Sequence, residues 1–191
     1  MRPRSQKTGR REFLRRAGAV AAGAAAAPYA ITSAALGAAG VPAASERITV
    51  GFIGMGGQGV SMNLRSFLAQ ADAQALAVCD VDAARMARAR DMVDKAYASR
   101  GGAGAAGGCK ALADWRDVAA RPDLDAVMIS TPDHWHVPMS LAALRAGKDV
   151  ICEKPTLTVG EGRVLADEVE ARGAVFQYAT EDRSVGVYHR M

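Results

Sequence analysis

Three glycines spaced G-x-G-x-x-G, at Gly54, Gly56 and Gly59, close the apolar run Ile48-Thr49-Val50-Gly51-Phe52-Ile53. A β-branched run entering such a turn, with a helix-compatible stretch behind it (Val60 to Gln70), is the layout that a dinucleotide pyrophosphate requires. Gly54 permits the tight strand-to-helix turn, Gly56 lets the backbone approach a phosphate, and Gly59 lets helix and strand pack closely. Met55, Gly57 and Gln58 complete the turn, whose free amides would face the phosphates at the helix N-terminus. Taken alone, the same turn serves equally well as a plain strand-to-helix connection.

Asp80 follows a second apolar run, Gln74 to Cys79, and stands 21 residues beyond Gly59. At that place in a dinucleotide fold a carboxylate accepts from the ribose 2′- and 3′-hydroxyls and repels a 2′-phosphate, which favours NAD over NADP. Asp80-Val81-Asp82 also suits strand termination and helix capping. Two later stretches carry further polar groups just past predicted strand ends: Ser130-Thr131-Pro132-Asp133-His134-Trp135-His136 and Cys152-Glu153-Lys154-Pro155. Carboxyl ends of strands are where open α/β sheets place their ligands.

The elements that must hold these residues alternate along the chain. Strands are expected at Ile48 to Gly54, Gln74 to Cys79, Ala126 to Ser130, Asp149 to Cys152 and Ala174 to Tyr178. Helices are expected at Asp82 to Arg100, with Asp82 as N-cap, at Leu112 to Ala120, at Val137 to Ala146 and at Val159 to Arg172. Gly147 and Gly173 close the last two, and Gly101 to Gly108 reads as a Gly/Ala loop. The pattern is α/β, a doubly wound parallel sheet with crossover helices.

Charge and cysteine content exclude some functions. Of the net +4, residues 1–16 hold +6 and the remainder −2, so nothing argues for nucleic acid. Cys79, Cys109 and Cys152 fit neither a disulfide framework nor a metal spacing, and Cys79 and Cys152 sit in apolar runs where thiols are buried.

Taken together, these motifs resemble the Gfo/Idh/MocA family of oxidoreductases. The resemblance covers roughly Arg47 to Thr180: the glycine turn, Asp80, T-P-x-x-x-H at Thr131 to His136, Ala-Gly-Lys at Ala146 to Lys148, and Glu-Lys-Pro at Glu153 to Pro155. It implies a Rossmann domain binding NAD(P), followed by a second α/β domain that binds substrate. By the same resemblance Thr131, Pro132 and Asp133 line the nicotinamide-side ribose, and His136 follows at the next helix start. Glu153 contacts a cofactor ribose, and Lys154 reaches the carbon being oxidised. An ammonium beside a cationic nicotinamide has a lowered pKa and can relay a hydroxyl proton, which suits Lys154 as the catalytic group. The family's substrate domain should begin near Glu181, so residues 181–191 read as its entry. The chain as written is expected to bind cofactor and not to turn over substrate. The longer protein is expected to be a homo-oligomer.

Residues 1–45 read as a leader. Gly9-Arg10-Arg11-Glu12-Phe13-Leu14 precedes an uncharged Ala/Gly segment, Ala17 to Ser45, and resembles a twin-arginine export signal. Pro28 and Pro42 interrupt any membrane span, and small residues throughout Ala24 to Ser45 leave the cleavage point open. The expected protein therefore meets the twin-arginine machinery and works in the periplasm, or is membrane-anchored if the leader stays. Three functions are compatible: an NAD-dependent oxidoreductase acting on a sugar or polyol, a redox-neutral glycoside hydrolase of the same fold, and a non-catalytic nucleotide-binding module. The Glu-Lys-Pro run favours the first.

Overall fold

Near-continuous burial along the central strands explains their apolar runs, and their order explains the site. The computed structural model describes residues 37, 42–100 and 108–180. All of them fall in the second of two units of the chain, 33–191. Nearly all of residues 1–45, expected as a leader, nearly all of the Gly/Ala loop and the segment 181–191 lie outside the described residues.

Six strands form one sheet: β1 (Ile48–Ile53), β2 (Ala73–Cys79), β3 (Lys110–Leu112), β4 (Ala126–Ile129), β5 (Asp149–Glu153) and β6 (Phe176–Ala179). Their order is β3-β2-β1-β4-β5-β6, and every neighbouring pair is parallel. The order reverses direction at β1, so a crevice opens at its carboxyl end between the β2 and β4 connections.

Among the described residues, five α-helices provide the crossovers: α1 (Arg65–Ala69), α2 (Ala83–Ser99), α3 (Trp115–Ala119), α4 (His136–Arg145) and α5 (Val159–Arg172). Both sheet faces are covered. Phe52, Val78 and Met128 pack on one side with Leu64, Val93 and Tyr97 from the α1 and α2 side. Ile53, Val127 and Ile129 pack on the other with Val118, Leu144 and Leu165 from α3, α4 and α5. Strands buried on both faces read as continuous apolar runs, which is why β2 and β4 were visible in sequence.

The helix ends follow their residue types. Asp82 caps α2, its side chain accepting from the Ala84 and Arg85 amides. Thr158 and Glu161 form a reciprocal capping box on α5, and Gly173 closes that helix at φ +59°. Gly147 takes φ +76° after α4.

Three expectations need correcting. The helix expected over Leu112 to Ala120 forms over a shorter span, the five-residue α3, and is preceded by a short strand, β3, that was not expected. Only three residues of β3 pair with β2, too few to show a period. The last strand lies at Phe176–Ala179, not at Ala174 to Tyr178. The helix after the glycine turn opens in π form, over Gly59–Leu64, before it continues as α1.

Candidate dinucleotide-binding site

The glycine turn is shaped by backbone collisions that a side chain would cause. Gly54 sits at φ +90°, and a Cβ there would stand 2.5 Å from the Ser130 carbonyl oxygen. A Cβ on Gly59 would stand 2.0 Å from the Gly54 carbonyl oxygen. Strand end and helix start therefore touch backbone to backbone, as the spacing required. Gly56 and Gly57 differ: a Cβ on Gly56 meets only the Arg85 guanidinium at 4.0 Å, and one on Gly57 meets nothing. Both border a cleft of about 740 Å³.

That cleft lies where the strand order reverses. The glycine turn with Gln58 lines one side, Asp80, Val81 and Arg85 a second, and Ser130, Thr131 and Pro132 a third. Asp114, Trp115, Arg116 and Trp135 close the remainder. Trp115 and Trp135 tilt against each other with ring centroids 6.4 Å apart, and the Arg116 guanidinium lies 4.7 Å over Trp115.

Asp80 is buried at the head of this cleft. Its Oδ2 accepts from the Met55 amide at 2.7 Å and its Oδ1 from the Asp82 amide at 2.8 Å. One carboxylate thus fixes the glycine turn and the start of the β2–α2 connection, while keeping acceptor capacity on the cleft wall. Thr131 Oγ1 is buried with no hydrogen-bond partner. An orphaned hydroxyl on a cleft wall, together with glycines whose Cβ would project into open space, fits a polar ligand laid along the turn.

The remaining expected site residues stand elsewhere. Met55 is buried in the core, and Gly59 is packed on the Gly54 carbonyl; neither borders the cleft. Asp133 is exposed in a 3₁₀ turn, Asp133–Trp135, and does not itself border the cleft, although Trp135 of the same turn does. His136 is 1% exposed, with Nε2 at 2.7 Å from the Thr131 carbonyl and Nδ1 at 2.8 Å from the Pro155 carbonyl. It joins the turn after β4 to the turn after β5.

Glu153 is also buried, and its Oε1 accepts from Asn63 Nδ2 at 2.8 Å and Gln58 Nε2 at 3.1 Å. Lys154 is exposed at the end of β5, before a cis peptide bond to Pro155, and is not among the residues bordering the cleft.

Sequence reasoning missed Trp115, Arg116 and Asn63. The first two follow β3, the strand that escaped notice; Asn63 sits inside a helix where no motif marks it.

The three free thiols are buried. Cys79 borders the cleft, yet burial first and the Asp80 charge second push it up to about 12. Burial likewise pushes Cys109 and Cys152 up to about 12. Among the described residues no group of three or more His, Cys, Asp or Glu side chains could hold a metal ion, and no helix is long and apolar enough to cross a membrane.

A parallel sheet covered on both faces, with a glycine turn and an acid at its switch point, defines a dinucleotide-binding Rossmann domain. The chain belongs to the Gfo/Idh/MocA oxidoreductase family with an NAD-binding Rossmann fold, whose profile matches residues 48–180. A "Glycosyl hydrolase family 109 protein" of Shewanella baltica (strain OS185) is 32% identical over 173 residues, covering 84% of this chain and 37% of that one. The levoglucosan dehydrogenase of Pseudarthrobacter phenanthrenivorans is 40% identical over 67 residues, 35% of this chain and 17% of the relative. The chain thus spans little more than a third of the first relatives' length.

Among solved structures, scyllo-inositol dehydrogenase from Lactobacillus casei, with bound NAD(H) and scyllo-inositol, shares the fold at TM-score 0.64 and 23% identity. The match covers 75% of this chain and 39% of that one. A 3-ketoreductase from Actinomadura kijaniata, in complex with NADP and TDP-benzene, matches with TM-score 0.64 at 23% identity, over 75% and 40% of the two chains.

Proposed function

We propose that this chain is the nucleotide-binding part of an exported oxidoreductase that acts on a CH–OH group of a sugar or polyol. The observation that carries the reading is the glycine-walled cleft at the switch point, with Asp80 anchored at its head and the Thr131 hydroxyl unpartnered on its wall. The pyrophosphate would lie against Gly56 to Gln58 at the start of the helix, and the adenosine ribose beside Asp80. The nicotinamide half would then run past Thr131 and Pro132 toward the end of β5. NAD supplies the hydride chemistry when bound. The chain's own residues orient it: Trp135 and Trp115 wall the cleft, and Lys154 stands at the strand end from which an ammonium would hold and relay a substrate hydroxyl proton.

The domain limits go with this reading: leader 1–45, nucleotide domain 46–180, and 181–191 opening a substrate domain. A twin-arginine leader would carry the protein out already folded. Outside the cytoplasm no free NAD pool exists, so the cofactor would be loaded before export and retained. These 191 residues alone would bind it without turnover, and a protein that also carries the substrate domain would be a homo-oligomer.

A second reading is favoured by the names of the relatives. One of them, 32% identical over 173 residues, is named "Alpha-N-acetylgalactosaminidase", from Shewanella oneidensis. A glycosidase that oxidises its sugar transiently would use the same nucleotide cleft.

Calorimetric titration of NAD into the 191-residue chain tests the common core of both readings: saturable one-to-one binding is expected, and no binding heat at millimolar NAD overturns them. For the longer protein, sugar release from an aryl glycoside without net NADH would select the second reading over the first.

A further inference from the structure

The helix behind the glycine turn opens as a π segment, Gly59–Leu64, in which the Arg65 amide reaches back to the Val60 carbonyl, five residues away. That register stacks residues five apart on one face, where an α-helix would rotate them well apart. Gln58 and Asn63 are five apart, and both donate to the same oxygen, Glu153 Oε1, at 3.1 and 2.8 Å. The Glu153 carboxylate, which only accepts, assigns the Asn63 amide nitrogen to this side, and Nδ2 also donates to Ser130 Oγ at 2.9 Å, which makes Asn63 a hub. Glu153 is 5% exposed and Asn63 7% exposed, so the hydrogen bonds form away from water, where an unmet carboxylate would be costly.

Three segments meet at this hub. Gln58 borders the cleft at the glycine turn, Ser130 borders it at the turn after β4, and Glu153 is the residue before Lys154. We propose that the π register is a positioning device: by hanging Gln58 and Asn63 on Glu153, it keys the phosphate-facing turn to the strand end that carries Lys154. Asn63 is its positioning residue. In consequence, and resting on the nucleotide reading above, disturbing Asn63 loosens the nicotinamide end of the site and spares the adenosine end. β5 lies beyond β4, on the side of β1 opposite β2 and Asp80.

The test compares NAD with ADP-ribose, which lacks the nicotinamide, by calorimetric titration into the 191-residue chain. Asn63→Asp sets a carboxylate against Glu153 where an amide now donates; about tenfold weaker NAD binding is expected, with ADP-ribose within about twofold of wild type. The swap Asn63→Asp/Glu153→Gln restores an amide facing a carboxylate, and recovery of most of the lost NAD affinity is expected. Amide hydrogen exchange is read alongside without ligand. In Asn63→Asp the Lys154 and Thr156 amides should exchange faster, while β1 and β2 keep their protection. An unchanged NAD to ADP-ribose ratio overturns the proposal. So does a general rise in exchange through β1 and β2, or a swap that recovers nothing. If wild type binds neither ligand, the nucleotide reading falls, and the exchange measurement alone decides the coupling.

Discussion

At the scale of single residues, the glycine turn separates two needs that share one motif. Gly59 is required by packing: a methyl there would enter the Gly54 carbonyl, so Gly59→Ala is expected to lower stability by about 2 kcal/mol or more in urea unfolding. Gly57 faces open space, and Gly57→Ala should change stability by less than about 0.5 kcal/mol. The cysteines give a second residue-level expectation. Thiols held at about 12 in the fold stay protonated at pH 8, so a thiol reagent should label Cys79, Cys109 and Cys152 only after denaturation.

The sign for stability follows from the same displacement. A group whose folded value lies above its unfolded one, near 9.0 for these thiols, contributes stability that is complete below pH 9 and disappears as the pH rises toward 12. The melting temperature should fall over that range, and less steeply in Cys79→Ala. The carrying motif of the site was legible because Gly54, Gly59 and Asp80 answer to local geometry. The roles of His136 and Glu153 were not. Spacing places a side chain near a strand end, but only the packed fold turns His136 between two carbonyls and Glu153 toward two amides.

At the scale of elements, capping chemistry and period did most of the specifying. Thr158 and Glu161 bond reciprocally at the start of α5, so Thr158→Ala should cost about 1 kcal/mol, read as a melting point lower by about 2–4 °C. Strands β1, β2 and β4 announced themselves because a strand covered on both faces is apolar throughout. β3 did not: three residues long at the sheet edge, with Lys110 exposed, it has neither period nor run. Missing β3 hid Trp115 as well, since a residue is suspected of lining a site only when the strand end before it is recognised. The π opening of the first helix was equally invisible. Its composition, Gly59 to Leu64, carries no signal that sets it apart from an ordinary helix start, and the hydrogen bonds of Gln58 and Asn63 to Glu153 are visible only in the fold.

At the scale of the whole molecule, the two core layers pack on either side of the sheet whose switch point carries the cleft, and what enters the cleft should stabilise both. Ligand binding to the folded state alone raises its stability by mass action. NAD at about a hundred times its dissociation constant would add about 2.7 kcal/mol, equivalent to a melting temperature higher by about 5–10 °C for a chain of this length. Differential scanning fluorimetry of the 191-residue chain reads this directly. Gly56→Ala supplies the control: its Cβ meets nothing closer than the Arg85 guanidinium at 4.0 Å, so the fold accepts it, yet the methyl stands where the backbone must approach a phosphate. The variant should melt close to wild type without ligand and lose most of the NAD-dependent rise. If Gly56→Ala keeps the full rise, the nucleotide does not lie against the glycine turn, and the cleft binds it in some other pose.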